Sequence, residues 1–182
     1  MLSDAHFTLK ELSFEYLNLD NKWEEQKREV FNRGDGVVAL LYNKVNKEIL
    51  LTEQFRMPVY QNTKEDAMLW EACAGMLDDN VPTTAVLKEI EEETGYRLKE
   101  TDLEKIYEAY SSPGAVTEKL HYFIGLYTED QKVSNGGGAA DETENIILHR
   151  LSLDEALQLL KNGRIKDAKT IILLQYAQLH FA

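Results

Sequence analysis

The sequence predicts an α+β fold, an antiparallel β segment followed by a mixed sheet with few helices, and three observations predict it. Two paired runs of strand-like residues open the chain, at 11–33 and 37–55, each broken by a short polar turn. Helical start and stop signals gather in only two places, around 82–94 and 153–180. Too few helices separate the strands for a doubly wound parallel sheet. In the first pair, ELSFEYLNLD and KREVFNR alternate polar and apolar positions around the turn Asp20-Asn21-Lys22. Gly34 and Gly36 then punctuate the chain. VVALLYN (37–43) and EILLTEQF (48–55), joined by KVNK, are more continuously apolar, as in strands covered on both faces, and mark the centre of the sheet. The polar stretch QNTKED (61–66) leads to MLWEACAG, expected as a strand feeding a loop at Gly75. Pro82 suits a first helical position, Asn80 is a candidate cap and Gly95 a stop, which predicts a helix over 82–94 with Ala85, Val86 and Ile90 inward. Strands follow at 103–112 and 119–128 around the loop SPGAVTE, and another at about 145–151 beyond the loop NGGGAADETE (135–144). Helices at 153–161 and 167–180, divided by Gly163, close the chain; Leu153, Ala156, Leu157 and Leu160 keep helical spacing.

At 182 residues the chain holds one domain of ordinary size, or one with a small extension, and can bury a real core. Its 43% hydrophobic and 29% charged residues exclude a disordered or fibrous class. No apolar run approaches the roughly 20 residues of a membrane span, and MLSDAHFTLKELSF lacks the basic and apolar regions of a signal peptide. A cytoplasmic protein is therefore expected. The single cysteine, Cys73, has no internal disulfide partner and is expected as a buried small apolar residue. A net charge of −12 argues against a nucleic-acid or anionic-membrane binder, because those partners require a basic surface. The same charge would repel a phosphate ester, unless bound divalent cations and a few placed Arg or Lys residues reverse the local field.

The informative segment is GMLDDNVPTTAVLKEIEEETGY, residues 75–96. Glu89, Glu92 and Glu93 stand at i, i+3 and i+4, so their carboxylates leave one face of one turn. Like charges at this spacing cost about 0.2–0.5 kcal/mol per pair in water, a cost that a cation between them would remove. Carboxylate oxygens suit hard ions such as Mg²⁺ or Mn²⁺. On spacing alone the solvated face of an amphipathic helix is the favoured reading. The glycine loop before the helix, Pro82 at its start and Gly95 at its end go further, because together they resemble the Nudix box. The second half of that box reads Lys88-Glu89-Ile90-Glu91-Glu92-Glu93-Thr94-Gly95-Tyr96 here. Lys88 stands where the family has Arg, and the early acidic position falls at Asn80 or Val81, with the spacing from Gly75 one residue shorter than the commonest form. Both departures concern the bracing of loop and helix rather than the metal ligands.

Outside the box the chain is similar to the ADP-ribose and GDP-mannose hydrolysing branch of that family. The matching segments are KREVFNRGDG, LLYN, EQFRMP, EACAGMLD, SPGAVTE, the triple-glycine loop and GRIKDAKTIILL, nearly the whole chain. The resemblance implies a Nudix domain over 35–182, a mixed sheet between helices, preceded by a β extension over 1–34 that forms a homodimer. It implies Mg²⁺, with Mn²⁺ as a substitute, held by Glu89, Glu93, Glu92 and the Ala74 carbonyl. Arg56 is expected on substrate phosphate, Lys27 and Arg28 on the nucleotide of the neighbouring subunit, Pro113 at the base or sugar pocket, and Glu118 near substrate or metal. Glu142, with Glu144 as the other candidate, is expected to orient or deprotonate the attacking water, and Glu92 to assist catalysis. The implied reaction is cleavage of GDP-mannose to GMP and mannose 1-phosphate. ADP-ribose or another ADP-sugar is the alternative substrate, and a nucleotide-sugar sensor without turnover the alternative of another class.

Overall fold

The computed structural model describes residues 1–138 and 145–181. Strands β1 (Ser3–Asp4), β2 (Thr8–Leu17) and β3 (Trp23–Asn32) form a three-stranded antiparallel sheet in sequence order. The predicted hairpin is thus present and longer at its N-terminal end, with Asn18 accepting from the N–H groups of Asp20 and Lys22 to shape its turn.

The second sheet has seven strands. Its path is β10 (Ile147–Ser152), β5 (Glu48–Phe55), β4 (Gly36–Asn43), β9 (Lys119–Leu126) and β8 (Leu103–Tyr110), with β6 (Met68–Glu71) on β5 and β7 (Cys73–Met76) on β4. Among the described residues of this sheet only β4 and β9 run parallel, so the sheet is mixed. Every residue of β4 is buried, because both faces of this central strand are covered. On one face α3 (Leu153–Lys161) and α4 (Ala168–Phe181) pack over Val38, Leu40, Ile49, Leu51 and Tyr122. On the other, α2 (Pro82–Thr94) places Ala85, Val86 and Ile90 against Val37, Leu41, Leu50 and Phe123. Cys73 is buried in this second core, as expected of a small apolar residue.

Three local readings are corrected. A short helix, α1 (Met57–Thr63), follows Arg56, and none of its residues is buried. The segment read as one strand is two: at Ala72 the chain leaves β5 and joins β4, and the Ala72 N–H turns out to the Thr170 hydroxyl at 2.7 Å. Asn80 does not cap α2; the cap position is Val81, without a side-chain bond, while the Asn80 N–H closes a turn on Leu77. Among the described residues no helix is long and apolar enough to cross a membrane.

Candidate active site

The acidic helix lies against β7, and two of its carboxylates meet adjacent residues of that strand. Glu93, 2% exposed, accepts from the Ala74 N–H at 3.3 Å. Glu89 lies over Gly75, so close that a Cβ added there would stand 2.1 Å from its carboxyl carbon. Val37 pairs with Gly75, and Leu77 donates to the Asp35 carbonyl, so the odd residues of β7 bond to β4 and the even ones face away. The Ala74 carbonyl therefore leaves the sheet at the open edge where its N–H meets Glu93. Two carboxylates and a carbonyl converge from helix and strand, a hard oxygen donor set that fits a divalent cation. Glu92 stands apart, directed along the helix to Lys88 (3.3 Å) with 31% of its side chain exposed. Among the described residues no three acidic, His or Cys side chains close on one point as a ready-made cage, so a cation here would share its shell with water and substrate oxygens, as Mg²⁺ commonly does.

The C-terminal end of this helix is tied to the triple-glycine loop. Gly137 and Gly138 donate their N–H groups to the carbonyls of Glu93 and Glu92, at 2.9 and 3.1 Å, satisfying groups that a helix end leaves open. At Gly136, φ is +69°, and a Cβ would stand 2.4 Å from the Glu93 carbonyl oxygen. Gly136→Ala is expected to cost about 2 kcal/mol, seen as a lower urea midpoint, because backbone on both sides prevents relief. Glu142 and Glu144, beyond this loop, lie outside the described residues.

Arg56, at the start of α1, is held by Glu71: its Nε and one terminal nitrogen reach Oε2 at 2.8 and 2.7 Å. The other Glu71 oxygen accepts from Lys169 at 2.8 Å, and Lys169 also donates to Asp167. Burial lowers the proton affinity of the Lys169 ammonium, but Glu71 and Asp167 more than reverse this, and its pKa is raised. Sequence reasoning assigned no role to Glu71, Lys169 or Asp167, although an acid inside the apolar run MLWEACAG was a signal.

Arg28 and Pro113 come together, with Phe14, Val30 and Tyr110, around a cavity of about 580 Å³ between β3 and the 113–117 loop. Lys27 is exposed and pairs with Ser13, on the face of the hairpin opposite Arg28. Glu118 is buried and bound to Arg33 at 2.8 Å, which restrains it as an ion pair.

An acidic helix and a strand carbonyl that suit a cation, an arginine anchored by Glu71, and a cavity of nucleoside size are the parts of a metal-assisted phosphoanhydride hydrolase. Residues 32–174 match the NUDIX domain, and the chain belongs to the Nudix family. Residues 1–31 match the GDP-mannose pyrophosphatase NudK N-terminal domain. The chain is 44% identical over 180 residues to the GDP-mannose pyrophosphatase of Yersinia enterocolitica, covering 99% of this chain and 92% of that one. It is 45% identical over 177 residues to the protein of that name from Pectobacterium atrosepticum, covering 97% and 90%. A third, from Salmonella arizonae, is 42% identical over 176 residues, with the same coverage of 97% and 90%.

Proposed function

We propose that the chain hydrolyses the pyrophosphate link of a nucleoside diphosphate sugar, GDP-mannose first, to GMP and mannose 1-phosphate, in the cytoplasm. The observation that carries this reading is the meeting of Glu89 and Glu93, on one face of α2, with the adjacent residues Gly75 and Ala74 of β7. The printed names of full-length relatives support the choice of substrate.

Glu89, Glu93 and the Ala74 carbonyl hold Mg²⁺, or Mn²⁺ in its place, with Glu92 at the margin of the shell. The bound ion supplies charge neutralisation for the diphosphate and acidifies water at neutral pH. Arg56 presents its outward donors to phosphate, offsetting the negative charge that a chain at −12 would otherwise set against the substrate. Glu142 or Glu144 orients the attacking water. Arg28, Pro113, Phe14 and Tyr110 offer an aromatic and cationic lining for the nucleoside, Lys27, on the opposite face of the hairpin, reaches the nucleotide of the neighbouring subunit, and Glu118 follows Thr117 of that lining, held by Arg33. Residues 1–34 act as the extension and 35–182 as the catalytic domain. Leu12, Phe14 and Tyr16 of β2, each 39–46% exposed, and Trp23 of β3, 68% exposed, are apolar surface that a homodimer would cover.

In a product assay over GDP-mannose, ADP-ribose and ADP-glucose, GDP-mannose is expected to give the highest kcat/KM, with GMP released only when Mg²⁺ or Mn²⁺ is present. Comparable turnover with EDTA would refute the metal role, and a clear preference for ADP-ribose would refute the substrate. Sizing by sedimentation is expected to give twice the 20.9 kDa chain mass.

A further inference from the structure

Glu71 is the last residue of β6, 3% exposed, and both of its oxygens are engaged by cations. The Oε2 atom takes two Arg56 donors, from Nε and one terminal nitrogen. That grips one edge of the guanidinium and fixes its plane. The other terminal nitrogen has no acceptor among the described residues, and 36% of the side chain is exposed, so the free edge faces outward. Behind Glu71 the chain of contacts continues inward. Lys169 bridges Glu71 and Asp167; Asp167 accepts from the N–H and hydroxyl of Thr170, at 2.9 and 2.6 Å; and the Thr170 hydroxyl accepts from the Ala72 N–H. Two cations and two carboxylates balance, so none is buried uncompensated.

We propose that Glu71, braced by Lys169, is a positioning residue that aims Arg56 at the substrate diphosphate. The proposal rests on the reading of Arg56 as a phosphate contact. A guanidinium at the head of a short exposed helix would otherwise sample many rotamers, and an Arg that must be ordered on binding gives back part of its attraction. Lys169 occupies the second Glu71 oxygen, which keeps that carboxylate from drawing Arg56 inward and offsets its negative charge beside an anionic substrate.

The test is a double-mutant cycle on the full chain with GDP-mannose at saturating Mg²⁺. Arg56→Ala is expected to lower kcat/KM about 10- to 100-fold, the range for a hydrogen bond to a charged group. Glu71→Gln is expected to lower it about tenfold in the wild-type background and less than about twofold in Arg56→Ala, since its effect passes through Arg56. An equal loss in both backgrounds overturns the positioning role and leaves the Arg56 contact standing. No loss for Arg56→Ala overturns the contact itself, and the proposal with it. Because Glu71→Gln leaves Lys169 buried with one anion fewer, its folding is controlled by Glu71→Gln/Lys169→Met, which restores the charge balance. This variant is expected to recover Tm while kcat/KM stays low; recovery of both would show that Glu71 serves the fold alone.

Discussion

Replacement of Glu93 by Gln is expected to lower kcat with GDP-mannose by about 10²- to 10³-fold, the scale of removing one placed electrostatic partner from an active site. The substitution keeps shape and volume, and the amide oxygen still accepts from the Ala74 N–H, so β7 and α2 remain docked. The negative charge is what disappears. A carboxylate 2% exposed and one turn from Glu89 carries a burial and like-charge cost that a bound cation would offset. Without metal, Glu93→Gln is therefore expected to unfold at the same temperature as the parent or slightly above it. With Mg²⁺ and GMP present, the parent gains stability by linkage and the variant gains less. The Mg²⁺ concentration for half-maximal rate should rise about 10- to 100-fold. Thermal scans with and without Mg²⁺ and GMP, beside the rate, separate this from a purely structural carboxylate, whose loss would lower Tm in both conditions. Turnover equal to the parent would remove Glu93 from the metal site.

Much of the fold was legible because its signals are local. Pro82 and Gly95 bound α2 at the residues expected, and the apolar runs of β4 and β5 state their burial without reference to anything distant. The missed features depend on partners far along the chain. The α1 helix is too short for a helical repeat to show and buries none of its residues; it forms where the Arg56 carbonyl accepts from Val59 and Tyr60 while the Arg56 N–H goes to Ala67. The break between β6 and β7 is made at Ala72 by a hydrogen bond to Thr170, 98 residues away. The site divides in the same way. The spacing of Glu89, Glu92 and Glu93 announced one helical face, yet only contact with β7 sorts them, drawing Glu89 and Glu93 to Gly75 and Ala74 and leaving Glu92 to Lys88. The pairing of Glu71 with Arg56, 15 residues before it, and with Lys169, 98 residues after it, has no periodicity to read.

Gly75→Ala is expected to lower kcat about 10²-fold while leaving the fold nearly intact, since misplacement by about 1 Å can cost that much. Gly75 has no positive φ, so alanine is compatible with its backbone. The nearest obstacle is the Glu89 side chain: the new methyl would stand 2.1, 2.3 and 2.5 Å from its Cδ, Oε1 and Cγ atoms. A flexible carboxylate end can swing aside at little cost to stability, and Gly75 stays paired with Val37. What it cannot do is swing aside and still share a cation with Glu93 and the Ala74 carbonyl. The variant should therefore melt within a few degrees of the parent, the shift of about 1 kcal/mol or less, and require more Mg²⁺ for half-maximal rate. The decisive comparison is with Glu89→Gln. If Gly75 acts only by leaving room for the Glu89 carboxylate, then Gly75→Ala added to Glu89→Gln costs little more, because the group it would displace has already lost its charge. Multiplying losses in the double variant, or a parental rate for Gly75→Ala, would mean that Glu89 does its work away from β7.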